Sequence, residues 1–222
     1  MDQHVLEDYL KQVYKLTREG RRATTTALSA ALGLPAATVS KTLPRLSAMR
    51  MIEYDPYRGA LLTESGTAVA LEVLRHHRLL ELFLHSALGM PLDEVHDEAE
   101  RLEHVLSDAV EARLDALLGY PTLDPHGDPI PTPDLRLSDD RFPSLADSRP
   151  GDTLRIRRVS DTRPEVLRHL QARGIIPGAT VRVVDHSPFE GLMRLDVDGR
   201  EESLSLRIAE TVTVEPNTEE EP

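Results

Sequence analysis

The first 66 residues set three helices ahead of one β-hairpin, and that order restricts the fold more than any other feature of the chain. Val5, Leu6, Tyr9, Leu10, Val13, Tyr14 and Leu16 recur at spacings of three and four, which predicts an amphipathic helix ending near Gly20. Thr26 to Leu32 predicts a short second helix, broken by Gly33. A third opens at Pro35, whose fixed φ suits a first turn, and runs towards Met49. Pro44 falls inside it, where the missing N–H predicts a kink. Met51-Ile52-Glu53-Tyr54, a turn carrying Pro56 and Gly59, and Ala60-Leu61-Leu62 then read as a hairpin. Helix, helix-turn-helix and hairpin in this order make a winged helix-turn-helix, an arrangement that binds DNA.

Charge tests that reading. The chain as a whole carries −12, the wrong sign for meeting phosphate. Its distribution is more telling. Between Arg21 and Arg58 stand six basic residues (Arg21, Arg22, Lys41, Arg45, Arg50, Arg58) against Glu53 and Asp55, so this stretch is +4 and the remainder −16. One basic patch on an acidic body is compatible with a DNA face, although charge clusters are commonly just solvated surface. Thr38, Ser40 and Lys41 fall in the N-terminal half of the third helix, where side chains reach base edges or phosphate. Arg45 and Arg50 suit phosphates and Arg58 the wing, while Ala36 and Ala37 could meet a thymine methyl.

Two further blocks follow. From about Thr67 to Gly119 the pattern is helical: Val69, Val73, His77 and Leu80 share a stripe, and one long helix is expected from Pro91 or Leu92 to Leu118. Leu106, Val110, Leu114 and Leu117 form an apolar strip on it, serving either an internal core or a seam between two copies. Tyr120 to Pro150 holds seven of the sixteen prolines and reads as an extended connection. Gly151 to about Pro216 alternates apolar and polar residues at Leu154/Ile156, Val181/Val183, Met193/Leu195/Val197, Leu204/Leu206 and Val212/Val214. Interrupted by one helical stretch, Pro164 to Ala172, this predicts a small SH3-like barrel. The expected domains are thus 1–66, 67–140 with its proline-rich tail, and 150–216, with 217–222 an acidic disordered tail. The fold class is mainly α with small β elements.

The chemistry concentrates in His96-Asp97-Glu98-Ala99-Glu100-Arg101-Leu102-Glu103-His104. On one continuous helix His96, Glu100, Glu103 and His104 stand at i, i+4, i+7 and i+8 and share a face. A second pair at i and i+4, His77 and Glu81, lies on the preceding helix. Imidazole and carboxylate at this density suit a divalent transition metal; a solvated charged face is the other reading these residues allow. The absence of cysteine excludes disulfides, zinc fingers, iron–sulfur clusters and thiol redox sensing. No apolar run approaches the roughly 18 residues of a membrane span, and the N-terminus lacks a signal-peptide core, so a cytoplasmic protein with no membrane partner is expected.

These motifs, in this order, resemble the diphtheria toxin repressor family of iron- and manganese-dependent transcriptional regulators. The resemblance is carried by Glu7-Asp8-Tyr9-Leu10, His77-Arg78-Leu79-Leu80-Glu81, Val95 to Glu100, Glu103-His104 and Pro125-His126-Gly127-Asp128-Pro129-Ile130-Pro131. It spans the whole chain, the final barrel being FeoA-like. It implies a homodimer bound to a pseudo-palindromic double-stranded DNA operator and two metal sites per subunit. Asp8, Glu100, Glu103 and His104 would form the primary site, and His77, Glu81 and His96 an ancillary one. Iron-type members carry cysteine and methionine where this chain has Glu100 and Asp8. Two hard carboxylates there resemble the manganese branch and favour Mn(II), with Fe(II) the alternative. Lys11 replaces a ligating glutamate of that branch, whereas the long three-domain architecture looks iron-type. Asp161 or Glu165 of the barrel could add a ligand.

The resemblance implies a repressor of metal-uptake genes, not an enzyme. A hydrolase built on two metal ions needs an open coordination position beside a general base, and no phosphate- or substrate-binding loop accompanies these residues. A winged-helix regulator of an organic ligand is the remaining alternative. Aromatic content of 4% with no tryptophan argues against the pocket it would require.

Overall fold

The computed structural model describes residues 2–18, 20–138, 141–160, 163–187 and 189–217. They group into two compact units: Met1–His77 with Leu102–Glu111 and Pro131–Leu137, and Arg78–Arg101 with Ala112–Ile130 and Ser138–Pro222.

In the first unit the helices form where their apolar spacing and turn residues put them. α1 (Gln3–Thr17) buries Tyr9, Leu10 and Val13. α2 (Thr25–Leu32) is opened by Thr24, whose hydroxyl accepts from the Ala27 amide, and closed by Gly33 at φ 63°. α3 (Ala36–Ala48) buries Val39, Leu43 and Leu46 at i, i+4 and i+7. Pro44 leaves α3 continuous. It stands on the exposed side, where water can satisfy the Ser40 carbonyl that lost its partner. β1 (Ile52–Asp55) pairs antiparallel with β2 (Gly59–Leu62), and Ala23 bridges Ala60. The Asp55 carboxylate accepts from the Tyr57 and Arg58 amides and fixes the wing's turn. Leu28, Val39, Leu43, Leu46, Ile52 and Ala70 complete the core.

α4 (Glu64–Ser86) follows, its first turn capped by Thr63, whose oxygen accepts from the Gly66 amide. The single long helix expected from 91 or 92 to 118 is instead three pieces: α5 (Val95–Leu102), a 3₁₀ turn (Glu103–Val105) and α6 (Asp108–Leu117). Leu106 is extended at φ −72°, ψ 123°, and the Ser107 carbonyl accepts from the Val110 and Glu111 amides to start a new helix. His96, Glu100, Glu103 and His104 therefore do not lie on one helical face. Leu106 sits in the break, and Val110 and Leu117 on α6 are exposed.

The second unit contains the barrel: β3 (Thr153–Val159), α7 (Pro164–Gln171), β4 (Thr180–Ser187), β5 (Leu192–Val197), β6 (Arg200–Ser205), α8 (Leu206–Ala209) and β7 (Val212–Pro216). The five strands are antiparallel in the order β6-β5-β4-β3-β7, around Leu145, Ile156, Leu170, Ile175, Leu195 and Val214. Leu206, expected on a strand, begins α8 because Ser205 caps it by accepting from the Ile208 amide. Asp161 and the acidic end from Thr218 to Pro222 lie outside the described residues. Among the described residues no helix is long and apolar enough to cross a membrane.

A Cβ built on Gly66 would stand 1.9 Å from the Met51 carbonyl oxygen, where helix start and hairpin cross without room for a methyl group. Gly66→Ala is therefore expected to cost about 3 kcal/mol of unfolding free energy, measured by urea denaturation. A loss below about 1 kcal/mol would show that the crossing is not tightly packed.

Candidate metal centre and DNA face

α1 brings Glu7, Asp8 and Lys11 to one cluster. Lys11 is buried at 1% exposure, an extreme position for an ammonium. Its partner is the Glu103 carboxylate, itself at 0%, which the 3₁₀ turn presents. The other Glu103 oxygen lies 2.6 Å from His77 Nδ1 on α4. His104, the next residue on the turn, contacts carboxylates with both ring nitrogens: Nδ1 lies 2.7 Å from Glu7 Oε2, and Nε2 lies 3.0 Å from Asp8 Oδ1. Nε2 is also 3.4 Å from Glu103. His76 braces the same turn, its Nδ1 3.1 Å from the Glu103 carbonyl and its Nε2 3.0 Å from Glu111. Arg75 also binds Glu111 and donates to the Pro131 carbonyl at 2.7 Å.

Asp8, Glu103 and His104 each offer a ligand atom within 4.8 Å of the other two. The donors are two oxygens and an imidazole nitrogen, with no thiol or thioether, a set that fits a hard or borderline divalent cation. Charge fits as well. Glu7, Asp8 and Glu103 supply three negative charges and Lys11 one positive, and neutral histidines leave −2 for a dication to cancel. A cleft of about 340 Å³, lined by Gln3, Glu7, Glu72, His76, Glu103 and His104 among others, lies against the cluster.

A different cluster lies in the second unit. Glu81, Asp124 and His126 are all buried, with ligand atoms again within 4.8 Å of one another. Glu81 Oε1 lies 3.1 Å from His96 Nδ1, and His126 Nδ1 lies 3.7 Å from the other Glu81 oxygen. The Asp124 carboxylate accepts from the His126 and Asp128 amides and so shapes its own loop. Burial, with the charges of Asp128 and Glu81, pushes the Asp124 carboxyl up to about 8 against the pull of Arg78 and His126. For His126 burial opposes the charged form, but its hydrogen bond to Glu81 and the charges of Glu81, Asp124 and Asp128 outweigh it and raise its pKa. Gly127, at φ 85°, carries the loop so close to the barrel that a Cβ would meet the Arg157 carbonyl oxygen at 2.0 Å.

Of the expected ligands, Asp8, Glu103 and His104 come together, and His77 joins them through Glu103. Glu81 and His96 hydrogen-bond to each other, with Glu100 3.9 Å from His96. Glu165 is exposed in the first turn of α7. Sequence reasoning missed Glu7, Asp124 and His126 as members of these clusters. Glu7 differs from any exposed helical glutamate only by its neighbours in space, and loop residues such as Asp124 and His126 have no period to betray them.

The prospective DNA face is exposed throughout. Ala36, Ala37, Thr38, Ser40, Lys41 and Arg45 cover the side of α3 opposite its buried stripe, Arg50 ends it at φ 57°, and Arg58 stands on the wing. Tyr57, not singled out from the sequence, is 98% exposed at the wing's tip.

Residues 3–60 match the N-terminal DNA binding domain of iron dependent repressors, 63–132 their metal binding and dimerisation domain, and 144–216 the FeoA domain. The chain is 33% identical over 219 residues to a diphtheria toxin repressor of Corynebacterium efficiens, covering 94% of each chain. The chain belongs to the diphtheria toxin repressor family. It is 32% identical to the iron-dependent repressor IdeR of Mycobacterium leprae, across 94% of this chain and 96% of that one. A solved manganese-dependent transcriptional repressor in complex with manganese superposes with a TM-score of 0.87 at 36% identity, covering 96% of this chain and 100% of the other. Members are metal-dependent, DNA-binding transcriptional repressors and not enzymes, so the hydrolase alternative falls.

Removing the Lys11 ammonium strands the buried Glu103 charge. Lys11→Met is expected to lower stability in chelator by about 3–5 kcal/mol, read by chemical denaturation, with Lys11→Met/Glu103→Gln losing much less. Equal losses in single and double variants would show that the ion pair is not what the fold depends on.

Proposed function

We propose that the chain is a homodimeric repressor that Mn(II) switches to its operator-binding state, with metal-uptake genes as targets. The observation that carries this reading is the convergence of Asp8, from the first helix of the DNA-binding region, with Glu103 and His104 of the 3₁₀ turn. An ion held by those three ties α1, and the helix-turn-helix packed on it, to the turn that precedes α6. It also cancels the clustered carboxylates. Exposed Val105, Val110 and Leu117 supply an apolar surface for a second copy, and two copies set two recognition helices at the spacing of two half-sites. Metal then acts by narrowing the orientations those helices adopt, a coupling typically worth about 1–3 kcal/mol, or roughly 5–150-fold in affinity.

On each operator half, Thr38, Ser40 and Lys41 address base edges and neighbouring phosphate, while Arg45, Arg50 and Arg58 address phosphates. Glu81 and His96, which hydrogen-bond to each other, belong to the second, ancillary metal site. Oxygen and imidazole donors without sulfur favour Mn(II). Fe(II) is the second reading, favoured by the resemblance to iron-dependent repressors along nearly the whole chain.

Retention of promoter fragments from the organism's own genome, in chelator and in graded Mn(II) or Fe(II), tests this. Wild type is expected to bind only with metal, Mn(II) acting at the lower free concentration, and Glu103→Gln and His104→Ala to lose more than about tenfold in affinity. Equal binding in chelator would remove metal as the switch.

A further inference from the structure

We propose that Glu7 is the positioning residue of the metal centre: it accepts the hydrogen bond of the His104 Nδ1–H and so commits Nε2 to the metal. The proposal rests on the reading that Asp8, Glu103 and His104 hold the ion.

A neutral imidazole has one N–H and can donate to only one of the two carboxylates that flank it. Two observations decide which. The Nδ1–Glu7 distance, 2.7 Å, is shorter than the 3.0 Å from Nε2 to Asp8. Glu7 is also the more enclosed of the two, its side chain 10% exposed against 38% for Asp8. A carboxylate withdrawn from water needs donors on both oxygens, and Glu7 obtains them: Gln3 Nε2 donates to Oε1 at 2.7 Å and His104 serves Oε2. Nε2 is left with its lone pair directed between Asp8 and, at 3.4 Å, Glu103. The Glu103 oxygen on that side also accepts from Lys11, so an ion placed between Nε2 and Asp8 would share a carboxylate that already has one cation beside it.

Helix geometry explains how one segment does both jobs. Glu7 and Asp8 are consecutive on α1, about 100° apart around its axis, so they reach opposite edges of a single ring. Glu7 is the anchor and Asp8 the ligand. Orienting a ligating histidine through its second nitrogen in this way typically accounts for about 10–100-fold in metal affinity. The ring is also braced by His4, edge-on at 4.9 Å between centroids. His4, Glu7 and His104 could themselves gather around an ion, and the test separates that case.

Calorimetric titration of the full-length protein with Mn(II), for wild type, Glu7→Ala, Glu7→Gln, His4→Ala and Glu103→Gln, gives the affinities. Glu7→Ala is expected to bind about 10–100-fold more weakly. Glu7→Gln, whose amide oxygen still accepts from Nδ1, should stay within a few-fold of wild type, and His4→Ala should be unchanged. In the wild type loaded with diamagnetic Zn(II), long-range ¹H–¹⁵N spectra should place the His104 ring proton on Nδ1. A proton on Nε2, or wild-type affinity in Glu7→Ala, overturns the proposal. Equal losses in Glu7→Ala, Glu7→Gln and His4→Ala overturn it in favour of an ion at His4, Glu7 and His104. Should Glu103→Gln bind like wild type, the three-ligand reading beneath it fails instead.

Discussion

A carboxylate removed entirely from water is the constraint around which the first unit is organised. Glu103 is fully buried, and an isolated buried charge of that kind would cost several kcal/mol. Lys11 from α1, His77 from α4 and the neighbouring His104 surround it, so three separately encoded segments must arrive together before the charge is tolerable. Such a pair adds little net stability compared with an apolar substitute, but its partial formation is strongly penalised. It therefore fixes where α1 lies against the turn, and α1 in turn supports the helix-turn-helix.

The break between α5 and α6 is what makes this arrangement possible. Had the helix continued, Glu103 and His104 would have pointed along a regular stripe. The 3₁₀ turn, held by His76 at the Glu103 carbonyl, aims both side chains back at α1. Leu106 then runs extended, and Ser107 starts a fresh helix whose first turn carries Asp108 and Glu111, a favourable charge for its N-terminus.

Much of this was legible in advance, and the gaps have physical causes. The winged helix-turn-helix follows from period, Gly33, Pro35 and the Pro56–Gly59 turn, all local signals. Pro44 does not interrupt α3, because the stripe of Val39, Leu43 and Leu46 buried on its other side outweighs one missing hydrogen bond. The 103–107 break was hidden because Leu102, Leu106 and Val110 keep a helical rhythm across it; Ser107 followed by Asp108 was the cap signal that could have revealed it. Glu103, His104, Asp8 and His77 could be nominated from spacing and resemblance, yet Glu7 and Lys11 could not be named as their partners. Whether Glu7 is solvated surface or buried anchor, and whether Lys11 faces water or a carboxylate, is decided by contacts 92 to 97 residues away in the chain.

The two carboxylate clusters solve the same electrostatic problem by different means. In the first unit a permanent cation, the Lys11 ammonium, stands among the acids. In the second the compensation comes partly from Arg78, 3.7 Å from Asp124, and partly from a proton, since Asp124 is held up to about 8. In the proposed site an ion would share Glu103 with Lys11 and be held also by Asp8 and His104. Since each cluster carries its own compensation, both are consistent with a chain that folds before metal arrives. Metal then has orientation left to contribute, which is the property a reversible repressor requires.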